Sequence, residues 1–464
     1  MRVKNLRIAA IALASALVMT PVATLAETLS DALVSAYRTS GLLDQQRALL
    51  RVKDDDVAVA VAGLRPVINY AINAGWSATE IGGIVTTATS ASATLSASFT
   101  LYDFGRSDKR VELARENVMM TREMLIGVEQ QVLFRAVGAF LNVRSAHETA
   151  LLQDNNVRLI TEELRAARDR FEVGEITMTD VALAEARLAA AKSAEAAARG
   201  QLMVAREEYK AAIGHYPNSL QVPPRVPMTA RTLDEAKALA RARHPDVLAA
   251  KRSVTVAELA VAISKTTMLP TLSADAGLTR SIGSAPTSDF TRGNVGITLS
   301  GPIYQGGKLS ALYRQSMSQA EAAKAGLHIA VQGVEQAVAN AWAQLAIAQA
   351  SITATDQQIR ASRVALRGAR EELSLGARTT LEVLNFEQDL LDAQAARISA
   401  ESDQYRAAYN LLSSMGLLTA EHLGLGIVTY DPAAYYNAVQ GAPVHLVSPQ
   451  GERLDAVLEA LGRK

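Results

Sequence analysis

From Lys308 to Ser374 the chain reads KLSALYRQSMSQAEAAKAGLHIAVQGVEQAVANAWAQLAIAQASITATDQQIRASRVALRGAREELS, 67 residues without a proline. Leu309, Leu312, Ser316, Ala320, Ala323, Leu327, Ala330, Val334, Val338, Ala341, Leu345, Ala348 and Ile352 step through it by threes and fours. That spacing draws one apolar or small stripe down a single helix, about 100 Å long at 1.5 Å per residue. Val331 and Ala337 lie off the stripe, so a second face packs as well, which suits a wall of helices better than a solitary coiled coil. Gly376 stands where a left-handed cap would end the helix, and a returning helix is predicted over 379–415.

The same plan occurs earlier in the chain. Thr28-Leu29-Ser30-Asp31-Ala32 answers Thr232-Leu233-Asp234-Glu235-Ala236, and Pro66 answers Pro270 in the same register. Tyr102-Asp103-Phe104-Gly105-Arg106 answers Tyr304-Gln305-Gly306-Gly307-Lys308, Phe171-Glu172-Val173-Gly174 answers Leu373-Ser374-Leu375-Gly376, and Gly214 answers Gly416, all in a register two residues shorter. One register held over most of the chain means duplication. The first copy has its long helix at 106–172 and its returning helix at 177–213. Four prolines between Pro217 and Pro227 mark the joint, since no long helix survives them. The predicted organisation is a leader over 1–26, repeats over 27–216 and 230–423, a proline-rich linker over 217–229 and an extension over 424–464.

Ahead of each long helix stand two stretches of period two, the strand signature. They are predicted at about 66–78, 91–103, 270–283 and 291–302. Ile68, Tyr70, Ile72 and Trp76 alternate with Asn69, Ala71, Asn73 and Ser77, and Leu95, Ala97 and Phe99 with Ser96 and Ser98. Leu272, Ala274, Ala276 and Leu278 alternate with Thr271, Ser273, Asp275 and Gly277, and Val295, Ile297 and Leu299 with Asn294, Gly296 and Thr298. Each stretch is close to the ~10 residues a tilted membrane strand needs. An apolar face beside a small polar one fits lipid outside and water inside. A soluble sheet would need an apolar layer over it, and the helices are already committed to one another. Four strands alone would leave unpaired edges in lipid, so a barrel has to be shared between chains.

Arg2, Lys4 and Arg7 precede an apolar run from Ile8 to Met19, followed by Pro21 and Thr24-Leu25-Ala26, the layout of a cleaved secretory signal. Without it the chain carries 44 basic against 47 acidic residues, a balance that suggests no nucleic-acid partner. Cysteine is absent, which excludes disulfides and a lipidated N-terminal cysteine. No later stretch approaches the roughly eighteen apolar residues of a membrane helix. The six histidines form no i, i+4 pair, so no metal site is expected. Gly306-Gly307-Lys308 lacks phosphate-loop spacing, no serine sits in a nucleophile elbow, and no cofactor or enzyme activity is expected. Asp54-Asp55-Asp56 reads as a solvated helix face.

The chain resembles the TolC-type outer-membrane factors. The resemblance rests on the duplicated unit, on Arg170-Phe171-Glu172-Val173-Gly174 with Thr179-Asp180-Val181, and on Leu375-Gly376-Ala377-Arg378-Thr379 with Glu382-Val383. Leu101-Tyr102-Asp103-Phe104-Gly105 and Pro302-Ile303-Tyr304-Gln305-Gly306-Gly307 carry it too. It implies a mainly α protein with membrane β: a homotrimer whose four strands per chain make a twelve-stranded barrel continued by an α-helical periplasmic tunnel. It further implies outer-membrane lipid around the barrel, a periplasmic adaptor docked near the Gly174 and Gly376 turns, and an inner-membrane ABC or RND transporter. The function expected is the exit duct of a type I secretion or efflux system. The unlipidated N-terminus and the extension with Tyr430-Asp431-Pro432 resemble the secretion branch more closely.

Residue by residue, the resemblance assigns Thr179, Asp180 and Arg378 to contacts that hold the entrance shut, and Glu382 and Asn385 to the constriction. Leu373 stands where the family often has a tyrosine, and Glu382 and Asn385 where it often has two aspartates. A local role is equally open, because Thr177 with Asp180 and Thr379 with Glu382 have capping-box spacing. The alternative from another class is an exported helical rod with structural or adhesive duty, which has no use for the alternating strands.

Overall fold

The computed structural model describes residues 26–224, 229–284 and 288–442; the leader lies almost entirely outside them. Helices α1 (Leu29–Thr39) and α2 (Gly41–Ala62) lead into strands β1 (Val67–Ile81) and β2 (Ile84–Tyr102), long helix α3 (Arg106–Glu172) and return helix α4 (Met178–Ile213). The second copy runs α5 (Leu233–Arg243), α6 (Pro245–Thr266), β3 (Thr271–Gly283), β4 (Phe290–Ser300), α7 (Lys308–Ser374) and α8 (Thr380–Ser414), with a short α9 (Pro432–Val439) after it.

Differences from the sequence reading have local causes. Thr177 and Thr379 are extended N-caps, so each return helix starts one residue later than expected. β3 starts after Pro270, which has no N–H to give a ladder. β2 stops at Tyr102 because the Asp103 carboxylate turns to cap α3, accepting from the backbone N–H of Arg106 at 3.0 Å and of Ser107 at 2.8 Å. β1 and β2 run well past their predicted limits to meet at Gly82-Gly83. Four helices that the patterning did not single out, α1, α2, α5 and α6, complete the two copies.

The wall and the sheet share one order. The strands pair β1-β2-β3-β4, all antiparallel. Nearest the sheet, α2 packs on α3, and α6 lies between α3 and α7; farther along, α4 packs on α3, and α8 lies between α3 and α7. Because α2 enters β1, β2 enters α3, α6 enters β3 and β4 enters α7, each strand continues into the helix below it. The described chain is a curtain four elements wide, and among the described residues both sheet and wall end in a free edge on each side: β1 with α2 and α4, and β4 with α7.

The largest core lies where the short helices cross the long ones, around Leu33, Leu133, Phe140, Tyr209, Val338 and Leu418. Tyr209 donates to Glu27 Oε1 at 2.6 Å inside it. Contrary to the expectation that no further segment is long and apolar enough to cross a membrane, α3 contains an 18-residue window of mean hydropathy 1.3. Half of that window is buried inside the protein, which marks it as core.

Asp54 also corrects the sequence reading. Asp55 and Asp56 are exposed, but Asp54 is fully buried on the stripe of Leu43, Leu50 and Val57, and neither carboxylate oxygen has a hydrogen bond. The extension covers it: Arg122 donates to the Pro432 carbonyl and stacks on Tyr436, and Tyr435 donates to Asp55. Burial pushes the Asp54 carboxyl up to about 7, with Arg122 opposing. A carboxyl raised on folding stabilises the fold at low pH, and that contribution is lost as pH rises from its unfolded value through its folded one. The melting temperature should therefore fall between about pH 4 and about pH 7 and level off above. Asp54→Asn should flatten that slope; an unchanged slope would place its origin elsewhere.

Candidate functional site

The register puts every alternating apolar residue on one face of the sheet. Ile68 faces Ala97, Ala97 faces Ala276 and Ala276 faces Val295; Tyr70, Leu95 and Leu278 form the next rung. Phe99, Ala274 and Ile297 form another, and Leu272 faces Leu299. The opposite face carries Asn69, Ser96, Gly277 and Asn294 on one rung, and Ser98, Asp275 and Gly296 on another. Ile68, Tyr70, Ile72, Trp76, Leu95, Val295, Ile297 and Leu299 are exposed and Phe99 is half-buried, with Tyr70 at 81% and Val295 at 88%. Among the described residues no helix covers this face. An apolar patch that long on an uncovered sheet marks a surface built for an apolar surrounding.

At the far end of the wall each hairpin turns through a glycine. Gly174 and Gly376 have φ of 78° and 73°. The N–H of Glu175 bonds the carbonyl of Arg170, and that of Ala377 bonds the carbonyl of Glu372, each at 2.9 Å, closing a Schellman motif in both copies. The capping boxes are formed. Thr177 donates through its N–H and hydroxyl to Asp180 at 3.0 and 2.8 Å, and Thr379 does the same to Glu382 at 2.9 and 3.0 Å. These bonds hold the Glu382 carboxyl below the usual range.

Within the chain Arg378 does not meet Asp180. It bonds Glu372, reaches Glu382 at 3.5 Å and lies 5.3 Å from the centre of the Phe386 ring. Asn385 accepts from Arg187 of α4 at 2.8 Å and so ties one hairpin to the other. Thr179, at the start of α4, is exposed and makes no bond that bears on the turn.

A second tie went unseen in the sequence. Glu387 on α8 is buried, accepts from Arg370 of α7 at 2.6 Å, and shares that arginine with Glu163 of α3 at 3.3 Å. Burial pushes the Glu387 carboxyl up, against the pull of Arg370. The signal was present: Glu387 sits on the stripe Val383, Leu384, Leu391 at helical spacing, where a charge needs a partner. Farther from the turn, Arg144 of α3 reaches Glu401 of α8 at 2.6 Å, and Arg397 of α8 reaches Asp356 of α7 at 2.7 Å. Arginine–carboxylate bonds thus join the three neighbouring helices at two levels.

The profile of a family described as outer membrane efflux protein matches residues 33–215 and again 238–417, once in each copy. The chain belongs to that family. Outer membrane efflux protein BepC of Brucella suis biovar 1 is 36% identical over 446 residues, 96% of this chain and 97% of its own length. Alkaline protease secretion protein AprF of Pseudomonas aeruginosa is 26% identical over 79% of this chain and 80% of its own. Outer membrane protein TolC of Escherichia coli is 26% identical over 74% and 72%. Among solved structures, the Campylobacter jejuni CmeC outer membrane channel superposes with a TM-score of 0.76 at 14% identity, covering 89% of both chains. CusC superposes at 0.75 with 18% identity, covering 83% and 91%. This outer membrane efflux protein is therefore an outer-membrane exit channel whose helical wall extends into the periplasm, in a family of channels rather than enzymes.

Proposed function

We propose that the chain is one third of a homotrimeric duct: twelve strands close a barrel in the outer membrane, and the helical walls continue it as a tunnel. The observation that carries this is the shared order of sheet and wall, with free edges on the same two sides. A free strand edge cannot stand in lipid. β1 of one copy meeting β4 of the next, with α2 and α4 meeting α7 below, closes both layers by one rotation. The apolar sheet face then meets lipid, and the face of Asn69, Ser96 and Asp275 lines the lumen. A helical rod would leave that apolar face without purpose.

In this reading an inner-membrane ABC or RND pump hands substrates through a periplasmic adaptor that docks near the Gly174 and Gly376 turns. Relatives named for protease secretion and for efflux support a duct that serves either task. Glu382 of three copies rings the entrance with carboxylate, while Asn385 contributes a neutral ring. Thr179 and Asp180 present their remaining polar atoms to the Arg378 of a neighbouring copy, which exchanges Glu372 for them on closure. An exposed pair is worth about 0–1 kcal/mol, so threefold repetition biases the closed state without locking it.

Arg378→Ser combined with Asp180→Ala should raise single-channel conductance in planar bilayers while the trimer persists. Glu382→Gln should change cation preference instead. If the double variant conducts like the parent, those residues cap helices and do not gate; if the parent forms no channel at all, the duct fails.

A further inference from the structure

The first β hairpin is longer than a membrane span requires, and the excess is patterned differently from the rest. Among the described residues, β2 last bonds the second hairpin at Thr89, whose carbonyl accepts from the N–H of Ser284 at 2.9 Å. Beyond that point the described pairing is between β1 and β2: Ser77 with Ala88, Ala78 with Thr87, Thr79 with Thr86, Glu80 with Val85 and Ile81 with Ile84. Five more pairs at 3.4 Å per residue make a ribbon of about 17 Å. Gly82 and Gly83 close it with φ of 62° and 84°, both positive, as a two-residue turn that matches strand twist demands.

Apolar character spreads to the second face along this ribbon. Below it, the lipid-side face carries Ile68, Tyr70 and Ile72 and ends at Trp76, an aromatic of the kind that sits at a membrane interface. Arg280, on the same face one rung below the Ala74–Ala91 pair, bonds Thr291 across to β4. Above Trp76 that face carries Ala78 opposite Thr87 and then Glu80 opposite Val85. The lumen-side face, polar below at Asn69, Asn73, Ser92 and Ser96, ends in Ile81 opposite Ile84, which are 76% and 71% exposed. A cross-strand isoleucine pair on the water side of a hairpin tip has no cover among the described residues of its own chain.

We propose that its cover is the same pair on the other two copies: the three ribbons lean over the outer mouth and meet through Ile81 and Ile84 in an apolar plug. This rests on the trimeric duct reading. Symmetry brings three identical tips to one axis, and the face that carries the isoleucines is the face that looks at that axis. A hydrophobic constriction of this kind stops water and ions by dewetting, so the duct has an outer closure independent of the helical entrance.

The chain lacks cysteine, so one introduced thiol is unique to each copy. In the detergent-solubilised full-length trimer, Ile84→Cys treated with copper–phenanthroline in air should give a covalent dimer on denaturing gels. Thr87→Cys, on the outer face of the same strand, should remain monomeric. Ile81→Ser with Ile84→Ser, both at exposed positions, should raise single-channel conductance about twofold or more with the particle mass unchanged. No Ile84 cross-link and unchanged conductance in an intact trimer would overturn the plug and leave the duct standing. A particle that is monomeric by mass before any oxidant is added would overturn the duct reading itself.

Discussion

Ala97→Arg is expected to abolish assembly, with the protein recovered from the membrane fraction as monomer or not recovered at all. Ala97 lies mid-rung on the apolar face, between Ile68 on one side and Ala276 on the other. An arginine near the midplane of a barrel's lipid face costs about 2–4 kcal/mol, and the trimer bears it three times. Ser98→Arg, one residue on and facing Asp275, turns the same charge into the lumen. That variant should assemble and show lower cation conductance. Particle mass after mild solubilisation, followed by conductance, separates the two; equal tolerance at both positions would mean that the faces are reversed or absent.

The pattern behind that prediction was legible because strand parity and helix punctuation are local. Gly174, Gly376, Pro66 and Pro270 recur at matching places, and a duplicated strand-pair and long-helix unit follows from them. The capping boxes were equally legible, since a carboxylate three residues after a threonine needs no information from the rest of the fold. What the sequence hid depends on distant partners. Arg370 and Glu163 are 207 residues apart, and nothing in either segment announces the other. Asp54 looked like part of a charged surface because its two neighbours are one; it is buried where α2 packs on α3 and the segment around Tyr435 and Tyr436 docks beside them. The ribbon above Trp76 was missed for a third reason. Thr86 and Thr87 are adjacent and Glu80 stands beside Ile81, so apolar and polar residues do not alternate there for period two to read.

The second large effect is expected at Arg370. Its guanidinium is the partner of Glu387, whose side chain is 2% exposed. Removing one member of a buried pair leaves a buried charge and costs about 3–5 kcal/mol. Arg370 is itself 43% exposed, so solvent shares part of the load, and about 2 kcal/mol is the scale to expect. Arg370→Ala should therefore loosen α7 and α8 near the turn without disturbing the sheet or the upper wall. Limited proteolysis should cut near Gly376 faster than in the parent, and conductance should rise. Arg370→Met with Glu387→Leu, which removes both charges, should restore protease resistance. If Arg370→Ala is cut at the parental rate, the buried cluster does not brace the tip.

Particle mass measured on the parent protein in mild detergent reaches the central claim most directly, because every functional statement requires the free edges of sheet and wall to be closed by other copies. The account predicts a single species of three chains that persists on dilution and falls apart only when the sheet is denatured. A monodisperse monomer, stable and folded with β1 and β4 unpaired, would contradict it.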